Sequence, residues 1–161
     1  MTLATLLPGA AHLQNIHPLV VHYPLALLSV AVMLYLATWI AGRPRWAWLA
    51  FWMLILGTVG AWVAAATGLY AEDGVMVARS VRNHLLLHHE HLMLVTVGLA
   101  TVGTLWAGLA PPFPGRTRPF FVLLLIALVA VMTVGADYGG RLVYDYNAGG
   151  DACSQPIDFT R

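Results

Sequence analysis

The sequence predicts an all-α protein, a bundle of four transmembrane helices with both termini on the same, outer side of the membrane. Three observations carry that prediction. Hydrophobic residues make up 60% of the chain and charged ones 9%, with a mean hydropathy of +0.76, whereas a soluble domain carries about a quarter charged residues. Four stretches, 19–42, 46–71, 91–115 and 119–136, hold no Asp, Glu, Lys or Arg, and a spanning helix needs about 20 mostly apolar residues. Gly and Pro punctuate two of the breaks, Gly42-Arg43-Pro44-Arg45 and Pro111-Pro112-Phe113-Pro114-Gly115, and a longer polar connection follows the second stretch. The same composition excludes other classes. Disorder is incompatible with so much apolar surface. A single cysteine, Cys153, rules out a disulfide framework. The chain has no lysine and its net charge is +1, so it offers no basic stripe for nucleic acid.

Residues 1–16 lack a positively charged start and a small-residue cleavage site, so they are expected to form a short interfacial segment and not a removable signal peptide. The first helix is expected near 17–41. Within it Pro24 cannot donate to the Val20 carbonyl, which opens the helix locally. Gly42-Arg43-Pro44-Arg45 is a tight turn, and the second helix follows near 46–70. Gly57, Ala61, Ala64, Ala65 and Gly68 line one stripe of it, a pattern that permits close helix packing. The longest internal connection, 72–82, leads to a third helix near 84–109, stopped by Pro111-Pro112-Phe113-Pro114-Gly115. The fourth helix is expected near 119–140. The membrane domain spans 17–146, and residues 147–161, with Cys153, read as an exposed tail. No internal repeat of residues is legible.

Arg43, Arg45, Arg116 and Arg118 crowd two short acid-free loops. Arg79, Arg82, Arg141 and Arg161 share the opposite side with nearly all the carboxylates. The arginine-dense loops are therefore expected inside, and both termini outside, facing a periplasm if the host is Gram-negative, in a multi-pass membrane protein.

All seven histidines fall toward one face of that membrane. His12, His17 and His22 precede or begin the first helix, and His84, His88, His89 and His91 begin the third, which runs in the same direction. Polar residues at membrane depth are functional candidates. At 1.5 Å per residue, His22 lies roughly 7.5 Å deeper than His17, and His91 roughly 10 Å deeper than His84. His84, His88 and His91 share one helical face while His89 points away from it. On depth, His22 and His91 are the expected ligands, with His88 as substitute for His91. His12 and His89 are expected to hydrogen-bond water, lipid headgroups or loop carbonyls. Glu90 or Asp137 could orient an imidazole, and Arg82 and Arg141 are placed to meet anionic groups such as haem propionates.

The segment Ile16-His17-Pro18-Leu19-Val20-Val21-His22-Tyr23-Pro24-Leu25-Ala26-Leu27 resembles the opening signature of the bacterial predicted-membrane-protein family called domain of unknown function 2231. Thr67-Gly68-Leu69 resembles its second landmark, and Tyr138-Gly139-Gly140-Arg141-Leu142-Val143-Tyr144 its closing one. The resemblance covers roughly 15–147 and implies a four-helix membrane domain, with no activity attached. The histidine that the family places soon after the Leu-Val-Tyr is here Tyr146.

Imidazoles from two helices suit haem b, and bundle cores are common places for such sites. The leading expectation is a small b-type cytochrome, or the haem-carrying subunit of a larger membrane redox complex or homo-oligomer. It would use His22, His91, His88, Arg82 and Arg141, and exchange electrons at the outer face with a periplasmic cytochrome c or quinone. The alternative is a copper or zinc site built from His22, His91, His88, His17 and His84. A third reading is a non-catalytic scaffold whose histidines satisfy local hydrogen bonds. No catalytic residue is expected.

Overall fold

The computed structural model describes residues 15–75, 77–110, 113–115 and 117–148. The expectations for the segment 1–14 with His12, for Arg116, and for the tail from 149 onward with Cys153 lie outside these residues. All the regular structure described is helical. Four helices are long and apolar enough to cross a membrane: span one, His17–Ala41; span two, Arg45–Gly74; span three, Arg79–Leu109; and span four, Arg118–Tyr146. Exposed leucines, valines and tryptophans cover their outer faces, as expected where lipid replaces water.

Span one stays one rod despite its proline. Val21 interrupts the ladder between His17–Val20 and His22–Ala41, yet it keeps right-handed helical angles, and the N–H of Leu25 still reaches its carbonyl. Gly42 ends the span with φ at +63°, the left-handed conformation that glycine adopts without steric cost. The second span begins one residue ahead of the expected position and ends close to it. The third begins five residues early. Its first turns are a short α-turn, Arg79–Val81, followed by a π-helical turn, Arg82–Leu86.

The fourth span corrects the sequence expectation most. Gly139-Gly140 reads as a stop, but the helix runs six residues further, to Tyr146. Leu142 is buried against Leu85 and Leu86 of the π-turn, which gives the extra turns an apolar contact. Asn147, left-handed at φ +51°, supplies the actual end, and the Ala148 N–H returns to the Leu142 carbonyl.

The spans pack in ring order: one against two, two against three, three against four, and four less extensively against one. Spans one and three therefore face each other diagonally. Close approach in the first hairpin depends on the small stripe of span two. A Cβ on Gly57 would stand 2.8 Å from the Leu28 side chain. Thr58 joins the hairpins, its hydroxyl 2.8 Å from that of Thr104 and 3.3 Å from the Ala100 carbonyl. Away from the histidines, Tyr35, Phe113, Phe121 and Trp106 form an aromatic cluster with ring separations of 5.0–6.0 Å.

A repeat of register emerges where no repeat of residues is legible. Leu28, Ala31 and Tyr35 of span one are buried, and so are Ala100, Gly103 and Ala107, each 72 positions later. Ala50, Leu54, Gly57, Ala61 and Ala64 of span two are buried, and so are Phe121, Leu125, Leu128, Met132 and Gly135, each 71 positions later. Hairpins one–two and three–four thus bury the same register with different residues.

Candidate functional site

At the histidine end the four spans diverge around a cavity of about 410 Å³. Val21, Leu25, Ala61, Met93, Val97 and Met132 contribute apolar walls, and His17, His22, His89 and Glu90 contribute the polar groups used below. Two histidines meet there across the diagonal. The rings of His17 and His89 lie with centroids 6.4 Å apart and planes at 79°.

Each imidazole is held by its own hairpin, in the same way. The Nδ1–H of His17 donates to the Ala64 carbonyl at 3.0 Å and also meets the Thr67 hydroxyl at 3.2 Å. The Thr67 hydroxyl itself donates to that carbonyl at 2.9 Å. The Nδ1–H of His89 donates to the Gly135 carbonyl at 2.7 Å. A carbonyl only accepts, so Nδ1 carries the proton in both rings and Nε2 keeps its lone pair. Four residues beyond each acceptor lies a glycine on which the ring rests. A Cβ on Gly68 would stand 2.9 Å from Cε1 of His17, and one on Gly139 would stand 2.7 Å from Cε1 of His89. These positions obey the register repeat: His17 and His89 are 72 apart, and Ala64 and Gly135, like Gly68 and Gly139, are 71 apart.

The other candidates are distributed differently. His22 lines the cavity but is an exposed residue at its edge; His91 is exposed and lies off the cavity lining. His84 and His88 stack in parallel, centroids 6.5 Å apart, and His88 stacks on Tyr138 at 5.5 Å. With Arg141 they line a second depression. Arg82 is committed to the inter-hairpin loop: it pairs with the Glu72 carboxylate at 3.1 Å and donates to the carbonyls of Glu72 and Val75. Arg141 reaches Asp145 at 3.6 Å. Carbonyls, and not Glu90 or Asp137, orient the imidazoles of the cavity.

The expected pairing of His22 with His91 is thus not the pair that the fold brings together. Depth along a helix ranked the histidines, whereas the convergence depends on what the facing helix offers. His89 lies off the face shared by His84, His88 and His91 because it points to Gly135 and Gly139. The available signal was the small residues of span four at the spacing of Ala64 and Gly68 in span two.

The fold and cavity define a four-span, α-helical membrane protein with a paired-imidazole site at one end of the bundle. The chain belongs to the family described as predicted membrane protein, domain of unknown function 2231, whose model matches residues 13–152. Comparison with curated proteins and with solved structures gave no match.

Proposed function

We propose that this protein is a small b-type cytochrome, or the haem-carrying subunit of a membrane redox complex, with His17 and His89 as the axial pair. The observation that supports it is the 6.4 Å centroid separation of two imidazoles whose Nδ1 atoms are already occupied. Two metal–nitrogen bonds of ~2.0 Å plus a ring half-width of about 1.1 Å on each side come to roughly 6.2 Å. The separation therefore suits one iron between the rings. Backbone carbonyls on Nδ1 fix the tautomer and raise the basicity of Nε2, as partners of metal-bound histidines do.

The donor set favours haem over a bare ion. Among the described residues no group of three or more His, Cys, Asp or Glu side chains converges to hold a metal, whereas copper(II) and zinc sites draw three or four protein ligands. A porphyrin brings its own four nitrogens and asks the protein for two axial imidazoles and an apolar cavity. Bound there, haem would supply one-electron chemistry. His17 and His89 would hold its iron through Nε2, and the apolar walls of the cavity would exclude water. His22 and Glu90 line the cavity together with Asn15, Glu72, Thr96 and Tyr144. A redox centre at one end exchanges electrons with a partner at that face, a cytochrome c or a quinone. The acid-free loops of Arg43 and Arg118 support an orientation with that face outside, in a bacterial inner membrane.

The test is an absorbance spectrum of the full-length protein purified in detergent after expression with haem available. Low-spin haem bands are expected in the wild type and in His91→Ala, and lost in both His17→Ala and His89→Ala. A colourless wild type, or a wild-type spectrum in the His17→Ala/His89→Ala double variant, overturns the reading. Reporter fusions after Pro44 and at the C-terminus check the orientation and are expected to give opposite signals.

A further inference from the structure

The second depression lies between the start of span three and the end of span four. The third span enters through the π-helical turn Arg82–Leu86, and such wide turns occur frequently at functional sites. On the fourth span, the position that repeats Thr67 is Tyr138, which stacks on His88 in place of joining the cavity. Between them lies a depression of about 440 Å³ whose polar residues are Ser80, His84, His88, Tyr138, Arg141 and Tyr146. Leu142, buried on Leu85 and Leu86, holds the end of span four against the π-turn. Arg141 and the two imidazoles are thereby fixed on one side of the bundle.

The chemistry of the lining is one-sided. A guanidinium, two imidazoles and three hydroxyls converge, and among the described residues no carboxylate lines the depression. Asp145 approaches Arg141 only through Nε at 3.6 Å, with both side chains about half exposed, longer than the ~2.8 Å of a charge-assisted hydrogen bond. Arginine opposes a metal cation there, and its planar fork matches a phosphate. Tyr138 and Tyr146 sit at the end of an apolar span, where tyrosines mark the headgroup level.

We propose that this depression binds a phosphate group, with Arg141 as its principal contact and His84 and His88 as supporting donors. The phosphate comes either from an anionic phospholipid headgroup or from a free solute. The site is separate from the imidazole pair of the cavity, and its test does not depend on haem.

Two probes distinguish the sources, both used on the full-length protein in detergent. Native mass spectrometry follows retention of added phosphatidylglycerol, and isothermal titration follows inorganic phosphate. Binding of at least one probe is expected to weaken about tenfold or more in Arg141→Gln, with partial rescue in Arg141→Lys. The His84→Gln/His88→Gln variant is expected to weaken it less. Asp145→Asn, which frees the guanidinium, is expected to tighten it several-fold, a gain that a merely structural role for Arg141 would not produce. Binding of phosphatidylglycerol alone assigns a lipid site, and binding of inorganic phosphate assigns a solute site. Circular dichroism confirms that each variant is folded. If neither probe binds, or binding is the same in wild type and Arg141→Gln, the proposal fails. Stoichiometric zinc binding abolished by His84→Gln, without phosphate binding, would replace it with a cation site.

Discussion

In the first hairpin His17 rests on Gly68 and donates to the Ala64 carbonyl, with the Thr67 hydroxyl as a second acceptor. In the second, His89 rests on Gly139 and donates to the Gly135 carbonyl. There the residue matching Thr67 is a tyrosine that stacks on His88. The cradle is common to both halves, and what surrounds it is not. Its essential parts are a backbone carbonyl and a missing Cβ, so it tolerates wide change in neighbouring side chains. Around the π-turn and the end of span four, the second hairpin gathers a cluster of donors, His84, His88, Tyr138 and Arg141.

The comparison breaks most visibly at the histidines. His17→Ala and His89→Ala are expected to reduce haem retention equally, by a hundredfold or about that, in a reduced-minus-oxidised spectrum. A large loss in only one variant would show that the halves are not functionally equivalent. Gly68→Ala and Gly139→Ala come next. Each Cβ would stand within 3 Å of an imidazole carbon, and overpacking of this kind costs about 1–3 kcal/mol. Both are expected to lower the thermal midpoint in detergent and to weaken haem about tenfold. Unchanged spectra with unchanged stability would dismiss the glycines as platforms.

Smaller effects separate the halves. Thr58→Val removes the hydroxyl that joins the hairpins and is expected to cost about 0.6–1.7 kcal/mol, read as a lower thermal midpoint without a change in the haem bands. Thr67→Val is expected to cost about 0.6 kcal/mol and to shift the midpoint potential slightly through His17. Tyr138→Phe, at the matching position of the other half, should leave the potential alone. An equal shift in both variants would mean that Tyr138 also acts on the cavity.

The number of spans and the gathering of the histidines at one end were legible because both follow from hydropathy and helix direction. The start of span three and the end of span four were not. Gly139-Gly140 carries the composition of a stop, and only the Leu142 contact with Leu85 and Leu86, made across the fold, overrides it. The site pair was illegible for a related reason. Which histidine matters depends on carbonyls of Ala64 and Gly135, and a carbonyl acceptor has no signature in residue type. Small residues on the facing helix are the nearest trace of it in sequence. His91 shows the limit of depth as a guide: it is the deepest histidine of its span, yet it is exposed and lies off the cavity lining.

The ring order of the spans has a consequence for biogenesis. His17 finds its acceptor and its glycine on span two, and His89 finds both on span four, so each half-site lies wholly within one helical hairpin. A hairpin inserted by the translocon can finish its own imidazole cradle before the other half is synthesised, and docking of the halves then has only to bring two prepared rings together. The site is accordingly divisible. Two fragments separated in the loop between Gly74 and Arg79, made as independent chains in the same membrane, are expected to reassemble the ring pair. Recovery of the haem spectrum from the co-expressed fragments, and from neither alone, would demonstrate it.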